Sequence, residues 1–199
     1  MNQLMLPVIE AQEQFNRYIA ALDKTPTSYN IEVASEVQER LEFLFFSIFE
    51  ITKLAADHME KHAVHMERMR NGIFDLTVLE SSQRIFFRIK FYTESLYMHA
   101  FRIMDIMRHK SKPLPGLSSF VCPGVRDVRN HLLVHPEGAA SQIFSQSFQW
   151  GPDTGSIIKP RREPGELGRH NDLGLVQNME EFFRNFTRVV VRATDDCAT

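Results

Sequence analysis

One short stretch of this 199-residue chain gathers side chains suited to phosphate, Val125-Arg-Asp-Val-Arg-Asn-His-Leu-Leu-Val-His-Pro136. Arg129 carries a permanent charge and a planar fork of donors that can grip a phosphate through two parallel N–H bonds. His135 titrates near neutral pH, so its imidazole can accept a proton and return it. On an ideal helix these two side chains would point about 120° apart, at 100° per residue. Pro136 relieves this, because the residue before a proline is pushed out of the helical region and the helix ends at His135. Val125, Val128 and Leu132 supply the apolar stripe that would fix the segment to a larger body. The chemistry on offer is phosphate binding with proton transfer beside it.

Charge points to the same place. The net charge of −2 gives the whole chain no attraction to nucleic acid or to an anionic membrane. Between Arg108 and His135, however, five bases (Arg108, Lys110, Lys112, Arg126, Arg129) face only Asp127. From Glu32 to Glu60 the balance reverses, with seven acids against Arg40 and Lys53. Trp150 with Lys159, Arg161 and Arg162 would add a stacking and charge platform for a single strand.

Arg129-Asn130, followed after four more residues by His135, resembles the motif of the HEPN superfamily (higher eukaryotes and prokaryotes nucleotide-binding). That motif is an Arg, usually followed by a polar residue, with a His four to six residues beyond it on one helix of an α-bundle. The resemblance implies a compact helical domain that often forms a homodimer with its two motifs facing each other. It implies RNA or nucleotide as partner and, in active members, RNA cleavage without metal or other cofactor. Carried onto this sequence, Arg129 would hold the scissile phosphate, His135 would serve the 2′-hydroxyl attack or the leaving group, and Asn130 would orient one of them. Arg126, His131, Arg161 and Arg162 would line the substrate beside this catalytic set.

Two other functions compete. His58, His62 and His65 fall within about 60° of one another on a helix, and His131 with His135 repeats the i, i+4 spacing of metal ligands. If the two helices met, His58, His62, His131 and His135 would surround a divalent ion. Against this, Ala56, Met59, Ala63 and Met66 form the expected inward row of the same helix, which puts the histidines on a charged flank. The other competitor is a non-catalytic dimeric helical interaction module that binds a protein partner through a spare row of phenylalanines and a hairpin. The remaining motifs are thin. Gly72, Gly124 and Gly151 stand alone, Ser81-Ser82 and Ser118-Ser119 lack the context of a nucleophile elbow, and Cys122 reads as a buried structural thiol.

The elements that must position these groups are helical. Leu4, Val8, Ala11, Phe15, Ile19 and Leu22 make a first stripe with Pro7 in its first turn. After the break at Thr25 to Ser28, with Ser28 or Asn30 as cap, no Pro or Gly occurs from Ile31 to about Arg70. There the stripe is Val33, Val37, Leu41, Leu44, Ile48 and Ile51, and the run Phe43 to Phe49 is apolar on nearly every side, which predicts full burial. Asn71-Gly72 stops this helix. A third runs from about Leu76 to Lys110 on Ile85, Ile89, Tyr92, Leu96, Ala100, Ile103 and Met107. A second row, Phe87, Phe91, Met98 and Phe101, lies off that stripe, and one narrow core cannot absorb both, so another helix or subunit must cover it. Beyond a breaker-rich stretch comes a short helix from Val125 to about Val134. Phe144, Phe148 and Trp150, the turn Gly151 to Gly155 and Ile157-Ile158 predict a β-hairpin. Asn171 or Asp172 caps a last helix with Met179, Phe182, Phe183, Phe186, Val190 and Ala193 inward.

The expectation is one all-α domain over 1–199, a HEPN-like bundle of four to five helices with a hairpin and loop insertion at 138–167. With 43% hydrophobic and 24% charged residues, wholesale disorder is excluded. Cys122 and Cys197 alone make no disulfide framework, the start lacks a signal peptide's pattern, and Phe43 to Phe49 is too short to span a bilayer. A cytoplasmic protein without membrane contact is expected.

Overall fold

The computed structural model describes residues 2–25, 28–109, 114–126, 128, 148–151, 155–158 and 175–198. Its long elements are α1 (Met5–Leu22), α2 (Ile31–Arg70), α3 (Leu76–His109) and α4 (Leu175–Ala198), with a 3-10 turn at Asn2–Leu4 leading into α1. The architecture is an all-α bundle. Among the described residues no helix is long and apolar enough to cross a membrane.

Local chemistry sets the helix ends. Asn30 takes an extended backbone and its Oδ1 accepts the Val33 N–H at 3.1 Å, so it caps α2, while Glu32 in the first turn suits the positive end of the helix dipole. At the other end Gly72 adopts φ 75°. Its N–H donates to Met69 O at 3.0 Å and the Ile73 N–H reaches back to Arg68 O at 2.9 Å, the paired bonds of a Schellman ending. Asp75 then starts α3. Its Oδ1 accepts the N–H groups of Thr77 at 3.0 Å and Val78 at 3.4 Å, and the Thr77 hydroxyl at 2.6 Å. Arg68 bonds its other oxygen. The Thr77 bonds foremost hold the Asp75 carboxyl below its ordinary pKa.

α2 and α3 lie antiparallel against each other, and α1 packs on both α2 and α4. The expected stripes are the buried ones: Val8, Ala11, Phe15 and Leu22 of α1, Val33 to Ile51 of α2, Ile85 to Met107 of α3 and Met179 to Ala193 of α4. Ile19 and Tyr92 are only partly buried, and Tyr18 joins the core. Residues 114–122 run along the bundle and send Leu114, Leu117, Phe120 and Cys122 into its core, while Gly116, Ser118, Ser119 and Val121 stay exposed. Phe120 stands edge-on to Phe182 (5.2 Å between centroids) and Phe186 (5.5 Å), and Phe15 closes on Phe186 at 6.0 Å. Phe148–Gly151 and Gly155–Ile158, β1 and β2, pair antiparallel with Phe148 opposite Ile158, and β2 lies beside α4. The rest of segment 138–167 and the expected α4 caps Asn171 and Asp172 lie outside the described residues.

Two expectations are corrected. Phe43, Phe46 and Phe49 are exposed, because α1 and α3, the helices packed on α2, cover only part of it. Ala56, Met59, Ala63 and Met66 are exposed as well, and between Leu54 and Ile85 no described side chain is buried. Among the described residues beyond Leu54, the contacts of α2 run to α3 and to the turn before it, so a helical stripe there has no core to enter. Of the second α3 row, Phe87, Phe91 and Met98 are exposed, whereas Phe101 packs at the margin of the core.

A Cβ at Gly72 would meet nothing within 4 Å, so any cost of substitution comes from the left-handed backbone alone. Gly72→Ala is expected to lose about 1 kcal/mol, lowering the thermal midpoint by roughly 2–4 °C. Gly72→Asn is expected to lose less, since Asn tolerates that conformation. Thermal unfolding followed by circular dichroism checks both, and equal midpoints for Gly72 and Gly72→Ala would refute the assignment.

Candidate functional site

The Arg129–His135 stretch singled out in the sequence follows a firmly held turn. Residues 123–126 are helical, and the Arg126 N–H donates to Cys122 O at 3.2 Å. Val125 is buried and Val128 packs partly on the core, as its stripe requires. The Cys122 N–H donates to Met104 Sδ at 3.1 Å, which ties the turn to α3. Burial pushes the Cys122 thiol up to about 11, so it stays protonated at neutral pH and offers no thiolate nucleophile.

Gly124 makes the second tie. A Cβ there would fall 2.5 Å from Asn178 Oδ1, so any residue but glycine would push the Asn178 side chain aside. Asn178 is buried, and its Nδ2 donates to the Tyr97 hydroxyl at 2.8 Å. Tyr97 is buried too, and desolvation raises its phenol well above the ordinary range, which keeps it neutral. A polar clasp thus joins α3, α4 and the root of the motif. Arg126 projects from that root into solvent. Arg129, Asn130, His131 and His135 lie outside the described residues, as do Arg161 and Arg162.

A polar cluster that sequence reasoning passed over links α2 to α3. Arg102 Nε donates to Glu36 Oε1 at 3.1 Å and its Nη1 to Asp105 Oδ2 at 3.0 Å. Arg40 Nη1 donates to His99 Nδ1 at 3.2 Å. A guanidinium cannot accept, so the neutral His99 ring carries its proton on Nε2. The same ring stacks on Phe43, with centroids 4.6 Å apart and planes within 9°. Burial first and the Arg40 charge second lower the His99 pKa from 6.5 to about 4. At neutral pH this imidazole is uncharged and has no proton to give as an acid, so it serves as an interhelical contact. The i, i+4 spacing of Glu36 and Arg40 marks a polar face of α2 in the sequence, but not the helix that the face meets.

Of the histidines of α2, His58 meets α3, His62 is exposed as on a flank, and His65 meets the turn between the two helices. His58 Nδ1 and Ser82 Oγ are 3.2 Å apart, His58 stacks on His62 at 6.0 Å, and His65 lies edge-on to Phe74 at 6.3 Å. Burial, then His62, lowers the His58 pKa. Among the described residues no group of three or more His, Cys, Asp or Glu side chains is arranged to hold a metal ion. His131 and His135, the other half of that alternative, lie outside them. Compared with protein-family models, curated proteins and solved structures, the chain matches none.

Two outcomes follow from these contacts. As pH falls below the ordinary 6.5, the unfolded chain protonates His99 before the folded chain does, so stability is lost between 6.5 and about 4. His58 adds in the same direction. Urea midpoints measured across that window should fall for the wild type and fall less for His99→Gln, and identical slopes would count against the assignment. Gly124→Ala displaces Asn178 from a buried bond and is expected to lose about 1–3 kcal/mol in the same urea assay. An unchanged midpoint would show that the close approach is not needed.

Proposed function

We propose that this chain binds the phosphate of RNA or of a nucleotide at Arg129, Asn130 and His135, and that it cuts RNA there without a metal. The observation that carries the reading is Arg129-Asn130 with His135 beyond it, directly following a turn that Val125, Gly124 and Cys122 hold against α3 and α4. In this reading the bundle is HEPN-like, segment 138–167 is an insertion in it, and the protein works in the cytoplasm. An arginine at a phosphate needs a rigid base, since a small misplacement of a catalytic group forfeits much of the rate. The exposed cation of Arg126 adds attraction at the approach.

The reaction needs few parts. The His135 imidazole takes the 2′-hydroxyl proton as the 2′-oxygen bonds to phosphorus, and the P–O5′ bond breaks. The departing 5′-oxygen takes a proton from water, leaving a cyclic phosphate and a 5′-hydroxyl, and the imidazolium gives its proton back to the hydroxide that remains. The Arg129 fork neutralises the charge that gathers on the phosphoryl oxygens. Asn130 holds the ring or the phosphate in line.

Purified protein is expected to cut single-stranded RNA in excess EDTA. Arg129→Ala and His135→Ala should each lower the rate by about 10²–10⁴-fold, with circular dichroism unchanged. Arg129→Lys keeps the charge but loses the paired donors and should rescue only partly. Binding should weaken linearly in log–log form as salt rises. Cutting that survives both alanine substitutions would overturn the proposal.

A further inference from the structure

We propose that the outer face of the α2/α3 pair is an interface between two copies of this chain. This does not rest on the phosphate reading. Six large apolar side chains stand on that face, Phe43, Phe46 and Phe49 from α2 and Phe87, Phe91 and Met98 from α3, between 41% and 66% exposed. At 100° per residue, Phe46 lies about 160° round α2 from the buried Leu44, and Phe87 and Phe91 lie about 160° round α3 from the buried Ile89. The rings therefore point away from the core that α1 and α4 help to build. They make one surface: Phe46 and Phe91 both meet Tyr92 edge-on, at 6.0 and 5.5 Å, and Phe43 stacks on His99 beside them. Five phenyl rings exposed to this degree leave on the order of 500 Å² in water. A patch of that size usually marks an interaction surface. With Met98 and the stems of the flanking charged residues it approaches the roughly 800 Å² per partner of a stable interface.

Charge selects the occupant. At 100° per residue Glu39, Glu42 and Asp57 stand beside Phe46 on the α2 side of the face, with Lys53 among them, while Arg84 and Arg88 stand beside Phe91 on the α3 side, with Glu80 among them. Along α3 as a whole five bases stand against three acids, the reverse of the seven acids against two bases from Glu32 to Glu60. Within one chain Glu50 meets Arg88 at 3.8 Å and Glu36 meets Arg102 at 3.1 Å, so acids and bases stand at matching heights. A two-fold axis parallel to the helices preserves those heights. It lays each α2 on the partner's α3, so that apolar rows meet and opposite charges face each other. An axis across the helices would instead stack two acidic rims. The same acids oppose an anionic lipid surface.

The test is the mass of the full chain in solution at micromolar concentration, by sedimentation equilibrium. The expected value is twice the 23.1 kDa of one chain. Phe87→Asp with Phe91→Asp should give a monomer of unchanged helical content, since both rings already face water; Phe91→Gln is the milder second variant and should weaken association at least tenfold. Asp57→Lys and Arg84→Glu should each weaken the dimer and together restore it. A monomeric wild type, a dimer that ignores the phenylalanine variants, or single charge reversals without effect would overturn the proposal. So would a monomer that binds phosphatidylserine vesicles through Phe91. Arg129→Ala should leave the mass unchanged, so this proposal and the phosphate reading fail separately.

Discussion

Unequal helix length governs this molecule. α2 has 40 residues and α3 has 34, whereas α1 has 18 and α4 has 24. At 1.5 Å per residue α2 extends about 60 Å and α1 about 27 Å. The shorter helices can cover only part of the longer pair, and the buried residues stop at Leu54 on α2 and resume at Ile85 on α3. Inside that limit the core holds an aromatic cluster of Phe15, Phe120, Phe182 and Phe186. Outside it, α2 is joined to α3 and to the turn before it by side contacts such as His58 with Ser82 and Arg68 with Asp75. Exposed pairs of that kind contribute about 0–1 kcal/mol each. Local stability is therefore lowest at the tip, where the Schellman turn at Gly72 and the Asp75 cap do most of the ordering.

Where helices do meet, polar contacts set their register as much as apolar area does. Hydrophobic burial is non-directional, so a Leu or Ile row allows α3 to slide along α2. Arg102 between Glu36 and Asp105, and His99 held by Arg40 and Phe43, allow only one height. Asn178 with Tyr97 performs the same task between α3 and α4, and the Gly124 contact extends it to the turn before Arg129. Leaving a buried member such as Asn178 or Tyr97 unpaired would cost more than the bond itself contributes, which is why such contacts discriminate between registers.

How much of this could be read beforehand follows the same division. Helix ends were legible because caps act locally: Asn30 bonds three residues on, and Asn71-Gly72 closes on the turn just behind it. The stripes were legible because period alone fixes which face is apolar. What period cannot carry is whether anything lies opposite. Phe43 to Phe49 looks like core on its own helix, yet only the side bearing Leu44 and Ile48 finds cover. Met59 and Met66 fail for the same reason, since the helices that would bury them end too soon. His99 escaped notice because its partners are 59 residues away at Arg40 and 56 away at Phe43, beyond any spacing rule. For the candidate site, the sequence gives the spacing of Arg129 and His135 and the anchoring stripe at Val125 and Val128, of which the structure describes the stripe.

The titrating groups argue for looking at that stripe for chemistry. Among the described groups with raised thiol or phenol values or lowered imidazole values, burial is the leading cause for Tyr18, Tyr97, Cys122, Cys197, His58 and His99. Desolvation suppresses the charged form; it suits a group that must pack, and here it leaves an uncharged imidazole and an unreactive thiol. A phosphate site needs the opposite, a cation still exposed on a support that cannot shift. Arg126 meets both conditions, being solvent-facing next to the fully buried Val125, one turn after a cysteine tied to α3. The bundle thus spends its buried polar groups on register and keeps open charge at the segment that leads to Arg129 and His135.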